Sequence, residues 1–163
     1  ASGKPERSMA EHTATIEWRR NGADFLDNRY SRSHTWLFDG GTEVPASSSP
    51  HVIPVPMSEL AAVDPEEAFV ASLSSCHMLW FLSIAAKRGF VVEHYRDLVV
   101  GTMSKDANGK VAITSVALSP ETGFSGESRP IMAELGAMHH VAHESCYIAN
   151  SVKSGIHCSP TIA

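Results

Sequence analysis

Two cysteines stand in stretches whose composition favours helix and whose neighbours suit thiol chemistry. Cys76 follows a pair of serines, and Cys146 follows Ser145. A reactive thiolate and a second thiol that closes on its oxidised sulfur are the minimum equipment for reducing a peroxide and returning to the starting state. For each position the alternative is a small buried residue that only packs in the core. The neighbours of the third cysteine, Cys158, single out no chemistry for it.

The Cys76 thiolate needs a nearby cation to persist. Cys76 falls in the middle of an apolar helical stretch, and burial alone disfavours the charged form of a thiol. Arg29 and Arg32, both near a predicted strand, are the candidate cations. An arginine buried beside the thiol needs a carboxylate partner of its own, which Glu66 or Glu67 can supply. The alternative is that the two arginines are ordinary surface charges and that the two glutamates only complement the start of the helix.

Cys146 has a different predicted environment. If Ser145 caps a last helical segment over residues 146–153, Cys146 lies in the first turn of that segment. Unpaired backbone N–H groups at a helix start stabilise a thiolate. This placement therefore makes Cys146 a second reactive thiol.

A long helix carries Cys76. Asp64 is a good N-cap, Pro65 suits the first turn, and Glu67 completes the pattern of a capping box. Gly89 provides the left-handed stop, so the pattern predicts a helix over residues 65–88, about 36 Å long. Residues 68–86 are apolar almost all the way round. Because one small domain cannot easily cover such a surface, we expect a second copy of the chain to help bury it, as an intertwined homodimer.

The other elements complete an α+β order. Alternating polarity predicts strands at 13–18 and 30–38, and Asn108-Gly109 predicts a hairpin between strands at 99–105 and 110–118. A second helix is expected to start near Pro130 and to end near residues 143–145. The Pro- and Ser-rich stretch 44–63 reads as a long loop with one short extended piece at 52–55, and residues 156–162 as a final extended segment. We expect a flexible tail at 1–10 and a single domain at 11–163.

Composition excludes several classes of protein. The chain has 163 residues and a formal net charge of −5, and neither nucleic acid nor an anionic membrane attracts such a surface. The most apolar run, residues 78–86, is too short to span a bilayer, and the first ten residues lack a signal-peptide core. Three cysteines do not make a secreted disulfide framework. We therefore expect a soluble, cytoplasmic protein.

Both cysteine segments resemble the motifs of a known family. Asp-Pro-Glu-Glu-Ala-Phe-Val-Ala at 64–71, running into Ser-Ser-Cys at 74–76, is similar to the first cysteine motif of the OsmC/Ohr thiol peroxidases. Ala-His-Glu-Ser-Cys at 142–146, with Asn150 close behind, resembles the second motif. The resemblance covers residues 13–153 and implies the OsmC-like fold. The long loop at 44–63 and the extra Cys158 depart from the shortest members and bear on substrate choice.

The resemblance also implies a role for each residue. Cys76 would be the peroxidatic cysteine and Cys146 the resolving cysteine, with Glu66 as the acidic partner of the activating arginine. Arg32 fits the family pattern best, and Arg29 stays open as the alternative. The implied reaction reduces organic hydroperoxides, and hydrogen peroxide more weakly, through a Cys76–Cys146 disulfide that an external dithiol of the dihydrolipoyl type reduces. It needs no metal, flavin or nucleotide cofactor.

Three rival functions come from other classes. The cluster of His139, His140 and His143 with Cys146 contains an i, i+4 histidine pair, His139 and His143, that can hold a metal on one helix face. Cys76 can serve as a hydrolytic nucleophile with a histidine base other than His77, since adjacent helical residues point about 100° apart. A stress-related binding protein with the same fold and no turnover is the third.

Overall fold

The computed structural model describes residues 10–163 and has the predicted α+β composition. The predicted tail at 1–10 lies almost entirely outside the described residues. The chain divides into two compact units that meet at Pro65, the first residue of the long helix. The first unit ends at Pro65 and the second comprises residues 66–163, and the expectation of a single domain over 11–163 stays a prediction.

The N-terminal unit contains an antiparallel three-stranded sheet. Strands β1 (Ala14–Glu17), β2 (His34–Phe38) and β3 (Glu43–Ala46) are ordered β1-β2-β3. The two predicted strands are confirmed in shorter form, because the second begins only at His34. β3 lies inside the predicted loop, and the prediction missed it because Pro45 is unusual in a strand. β3 is an edge strand, where a missing N–H costs no ladder hydrogen bond.

Turns fill most of the predicted loop after β3. The predicted extended piece at 52–55 is wrong: the N–H groups of Val52 and Ile53 both donate to the Ser49 carbonyl, which makes a turn. The end of the loop is fixed to the sheet edge by two hydrogen bonds, from the Ser47 N–H to the Val63 carbonyl and from the Val63 N–H to the Pro45 carbonyl, each 3.0 Å. The loop is therefore long in sequence and anchored at both ends.

Helix α1 (Pro65–Lys87) opens the C-terminal unit and ends one residue before the predicted position. Gly89 follows at φ 80°, the left-handed conformation predicted for the stop. Four residues at four-residue spacing form its buried stripe: Leu73, His77, Phe81 and Ala85. The other side chains of the helix are more exposed to solvent, and Leu79 is 61% exposed in the single chain. Its length and hydropathy would also allow α1 to cross a membrane, a property that core helices of soluble proteins share.

Two mixed sheets and a second helix pack with α1. One sheet has the order β4 (Val91–Asp97), β7 (Pro120–Ser125), β9 (Thr161–Ile162), and the other β5 (Val100–Lys105), β6 (Val111–Leu118), β8 (Gly155–Cys158). The predicted hairpin is the β5–β6 pair, and the predicted final extended segment is β8 and β9. Helix α2 (Met132–Ser145) begins close to the predicted start.

The core of the C-terminal unit has two parts. One contains the buried residues Phe81, Ala85, Phe124, Leu135, Met138 and Ala142, from α1, β7 and α2. The other contains Leu73, Val116, Leu118 and Cys146. Helix α1 contributes to both parts, so neighbouring residues of this helix are held in different surroundings.

Candidate functional site

Cys76 and Cys146 lie together in the C-terminal unit. Cys76 sits half-buried on α1 and packs against the core part that contains Cys146. Cys146 follows the last residue of α2 and is fully buried, and its thiol lies near that of Cys76, which raises its pKa. Both cysteines are free thiols. The fold thus brings two reduced thiols into one part of the core from positions 70 apart in the sequence (146 − 76).

The environment of Cys146 corrects the predicted helical segment at 146–153. Ser145 is the last residue of α2 and caps nothing, and the only helical turn that follows within the described chain is a short 3-10 helix, Ala149–Ser151. Cys146 is the C-cap residue of α2, and Ile148 is the N-cap of the 3-10 helix. The Ala149 N–H donates to Cys146 Sγ at 3.4 Å, and the Asn150 N–H donates to the Cys146 carbonyl at 3.0 Å. Backbone donors therefore reach Cys146, although it does not lie in the first turn of a helix.

Burial decides the protonation of Cys146. Removal from water raises the pKa of its thiol, the Ala149 N–H opposes that effect, and the neighbouring Cys76 raises the pKa further. The net direction is upward, so Cys146 is a neutral thiol at neutral pH. A neutral thiol beside Cys76 is suited to give its proton to a leaving hydroxide rather than to attack first.

Of the two candidate arginines in the N-terminal unit, Arg32 has the side chain that is held by more recorded hydrogen bonds. Its guanidinium donates to the Tyr30 carbonyl, to the Asn28 carbonyl at 3.1 Å and to Asn28 Oδ1 at 2.8 Å. It also stacks over the Tyr30 ring, 3.7 Å from the centroid. Arg29 is exposed, and its recorded hydrogen bond is from its backbone N–H to Asp27. These neutral acceptors orient the Arg32 cation without cancelling its charge.

An apolar cavity of about 450 Å³ surrounds Arg32 in the same unit. Trp18, Phe25 and Tyr30 form one aromatic cluster in its wall, with the Phe25 and Tyr30 rings stacked at 4.5 Å. Sequence reasoning missed these three residues, although their aromatic side chains close to the candidate arginines were a usable signal. The remaining lining residues are Ile16, His34, Ser47, Ser48 and Pro65.

Glu66 occupies the first turn of α1. Its Oε2 atom is buried and has no hydrogen-bond partner within residues 10–163. Glu66 and Cys76 belong to one uninterrupted helix and are ten residues apart, so about 15 Å separates them along its axis. Of the four predicted site residues, the structure therefore brings together Cys76 and Cys146, while Glu66 stays away from both.

A second polar cluster lies beside the thiol pair and was not predicted as a set. His77 Nε2 is 2.9 Å from His139 Nδ1 and 3.9 Å from Cys158 Sγ. Burial lowers the pKa of His77 to about 4 and that of His139 to about 3, and it raises the pKa of Cys158 to about 12. All three groups are therefore neutral at pH 7. His143, the predicted metal-binding partner of His139, lines a cavity next to this cluster.

Comparison with known proteins agrees with the fold. The family model of the OsmC-like proteins matches residues 58–161. An OsmC-like protein of unknown function from Vibrio cholerae is 55% identical in sequence, with a TM-score of 0.92 over 93% of this chain and 99% of that one. No curated protein sequence matches the chain.

More distant structures share the fold alone. An organic hydroperoxide resistance protein from Elizabethkingia anophelis is 14% identical, with a TM-score of 0.66 over 97% of this chain and 99% of that one. The organic hydroperoxide resistance protein OhrB of Bacillus subtilis is 12% identical, with a TM-score of 0.62 over 96% of this chain and all of that one. These matches confirm the predicted OsmC-like fold.

Proposed function

Because this chain belongs to the OsmC-like family, we propose that it is a cysteine-based peroxidase that reduces organic hydroperoxides, and hydrogen peroxide more weakly. The observation that carries the proposal is the proximity of the Cys76 and Cys146 thiols, which pack in one part of the core and interact closely enough for Cys76 to raise the pKa of Cys146. A disulfide forms only where two cysteines approach closely. Two relatives of the same fold are organic hydroperoxide resistance proteins, which supports this class of substrate.

In the first step, the Cys76 thiolate attacks the distal oxygen of the hydroperoxide. The O–O bond breaks, the alcohol leaves with a proton, and Cys76 becomes a sulfenic acid. Cys76 suits this step better than Cys146 because it is half-buried on α1, whereas Cys146 is fully buried. The hydroperoxide is thereby reduced by two electrons, and the sulfur of Cys76 is oxidised by two.

In the second step, the Cys146 thiol condenses with the Cys76 sulfenic acid. A sulfur–sulfur bond forms and water leaves, with the thiol proton going to the departing hydroxide. The packing of both residues in one part of the core supports their approach to disulfide distance. An external dithiol, of the dihydrolipoyl type by family resemblance, then reduces the disulfide by exchange and restores both thiols.

Arg32 is proposed as the cation that holds Cys76 as a thiolate and orients the hydroperoxide. Its fixed guanidinium, surrounded by neutral acceptors, supports this role. Glu66 is proposed as the carboxylate that positions the arginine. Its buried Oε2 has no hydrogen-bond partner among the described residues, so it can accept a hydrogen bond from a guanidinium. The apolar cavity around Arg32 favours a hydroperoxide that carries an apolar group over hydrogen peroxide.

The active form is proposed to be a homodimer. Glu66 and Cys76 cannot meet on one continuous helix, so a site that uses both residues takes them from different chains. The open apolar side of α1, including Leu79, provides a surface for a second copy. In a symmetric dimer this arrangement gives two equivalent composite sites. A soluble, cytoplasmic location remains part of the proposal.

A thiol count tests the reaction. The reduced chain has three free cysteines, and one equivalent of an organic hydroperoxide should leave one. Peptide mass spectrometry should locate the new disulfide at Cys76 and Cys146. In Cys146→Ser, a single oxidation should stop at a sulfenic acid on Cys76 that a dimedone probe traps.

Two outcomes would contradict the mechanism. An unchanged thiol count would favour a binding protein without turnover. A Cys76–Cys158 bridge would transfer the resolving role to Cys158, whereas a Cys146–Cys158 bridge would exclude Cys76 as the site of oxidation.

A further inference from the structure

We propose that His77, His139 and Cys158 form a zinc-binding site that is separate from the Cys76–Cys146 thiol pair. One ligand atom from each residue lies within 4.8 Å of the other two. Two imidazole nitrogens and one cysteine sulfur are a donor set that zinc binds in proteins, with a fourth position left for water or another side chain. The proposal does not depend on peroxidase activity.

The distances suit a metal after a small adjustment. With Zn–N bonds of about 2.05 Å and a Zn–S bond of about 2.3 Å, a tetrahedral site places its nitrogens about 3.3 Å apart and nitrogen and sulfur about 3.6 Å apart. The observed separations are 2.9 Å between His77 Nε2 and His139 Nδ1 and 3.9 Å between His77 Nε2 and Cys158 Sγ. Shifts of a few tenths of an ångström in these atoms connect these two separations with the tetrahedral values, and the ligand atoms of His139 and Cys158 lie within 4.8 Å of each other.

The two imidazoles of the cluster are buried and face each other through the nitrogens that would bind the metal. His77 and His139 are 1% and 2% exposed, and they share one hydrogen bond. His139 Nε2, the nitrogen that faces away from His77, is also buried and has no partner among residues 10–163. Apolar side chains of similar size would fill this space without the cost of burying polar groups. Two buried imidazoles in this arrangement therefore point to a function other than packing.

Charge favours a divalent cation here. Both imidazoles are neutral at pH 7. In their hydrogen bond one facing nitrogen carries the hydrogen, and that ring frees a lone pair for the metal when its proton moves to its other nitrogen. The Cys158 thiol releases one proton to solvent when its sulfur binds the metal. The Asp97 carboxylate acts electrostatically on both His77 and Cys158, and it is held by the Ser119 N–H at 2.6 Å. The thiolate and this carboxylate together balance the two charges of the ion.

Three rigid elements hold the ligands, and a cavity gives access to them. His77 lies on the buried stripe of α1, His139 on α2, and Cys158 at the end of β8, in register with Leu118 of β6. A cavity of about 310 Å³ reaches His139 and Cys158 and is also lined by His140 and His143. An ion can enter from this side, and water can complete its coordination. Ligands fixed on packed elements keep their geometry before the metal arrives.

The test measures zinc binding by the untagged, chemically reduced chain. Zinc should bind at one equivalent in calorimetry and raise the Tm. Cobalt should give thiolate-to-metal charge-transfer absorption that zinc displaces. Cys158→Ser should abolish this absorption and weaken zinc binding by more than about 100-fold, because even changes outside the ligand set cost about 10–100-fold. His140→Gln is the matched control, since His140 lines the same cavity outside the ligand cluster, and it should bind zinc as the wild type does.

Several results would overturn the site. Retained cobalt absorption in Cys158→Ser together with its loss in Cys146→Ser would place the metal on the redox thiols instead. The absence of stoichiometric zinc binding by the folded wild-type chain would leave His77 and His139 as a hydrogen-bonded core pair. Since His77 is buried and its replacement can unfold the chain, His139→Gln provides the second ligand variant, with folding checked by circular dichroism. Zinc binding at wild-type affinity in folded His139→Gln would also exclude the site.

Discussion

Cys76 and His77 are neighbours on α1, but their side chains enter two different environments. Cys76 is half-buried and lies near the thiol of Cys146, whereas His77 is almost completely buried and contacts His139. The His139 ring is further enclosed by Phe81, whose ring stacks on it with centroids 4.1 Å apart. Adjacent helical residues point about 100° apart, and this rotation is enough to separate the two clusters.

The difference between the clusters lies in what each can exchange with solvent. A peroxidatic sulfur must meet hydroperoxide and reductant in every cycle, so partial exposure of Cys76 suits turnover. A metal ligand is better held in a closed, prearranged set, and the burial of His77 and His139 suits retention. We call Cys76 and Cys146 the reactive pair, and His77 and His139 the closed pair. Helix α1 contributes one residue to each pair, and mutations should be able to separate the two functions.

The largest effect is expected when the reactive pair loses its nucleophile. Cys76→Ser should abolish peroxide consumption with dithiothreitol as reductant, because a serine hydroxyl is not ionised at neutral pH and is a poor nucleophile toward peroxide. Ser83→Ala, at an exposed position of the same helix, should consume peroxide at the wild-type rate. Turnover by Cys76→Ser at a rate comparable to wild type would remove the sulfur of Cys76 from the mechanism.

Loss of the activating cation should have the next largest effect. Arg32→Ala should slow peroxide attack by about 10–100-fold and move alkylation of Cys76 to higher pH, because burial then acts on the thiolate without a compensating charge. Stopped-flow oxidation and iodoacetamide labelling against pH measure the two effects. Arg29→Ala is the matched control. A shift confined to Arg29→Ala would identify Arg29 as the cation instead.

A mixing experiment tests whether the reactive pair is completed by a second chain. Cys76→Ser and Glu66→Ala should each be inactive as homodimers. Unfolding and refolding them as an equal mixture should give heterodimers with one complete site of two, or about a quarter of the wild-type activity. Size-exclusion chromatography with light scattering verifies the assembly. Confirmed heterodimers with no recovered activity would assign each site to residues of one chain.

The elements that hold the reactive pair were largely predictable. The ends of α1 follow from local chemistry, since the capping residues before it and Gly89 after it act within a few positions. The β5–β6 hairpin follows from Asn108-Gly109 in the same way. The pairing of Cys76 with Cys146 was predicted by family resemblance and stays a prediction, and the fold places both residues in one part of the core.

The parts that were not predictable depend on contacts between distant positions. β7 begins with Pro120 and contains Gly123, a composition typical of turns. The structure explains the glycine: a Cβ atom there would lie 2.3 Å from His94 Nδ1 of β4. The cluster of His77, His139 and Cys158 joins residues 62 and 81 positions apart, and no local pattern connects them.

The smallest predicted effect concerns the closed pair and is measured on metal-free protein. The folded-state pKa values of His77 and His139 are about 4 and 3, below the ordinary value of 6.5. Below pH 6.5 the unfolded chain therefore binds protons that the folded chain does not, and the free energy of unfolding decreases as the pH falls. Above pH 6.5 both states hold neutral imidazoles, and this contribution is flat.

The expected loss between pH 7 and pH 5 is on the order of 4 kcal/mol for the two histidines together, measured by urea unfolding in the presence of a chelator. His139→Gln keeps an amide in place of the imidazole and removes one of the two titrating groups, so it should reduce the slope below pH 6.5. His140→Gln changes an exposed histidine and should leave the slope as it is. If the free energy of unfolding of His139→Gln fell with pH as steeply as that of the wild type, other groups would cause the acid sensitivity. His139 would then already accept a proton in the folded state.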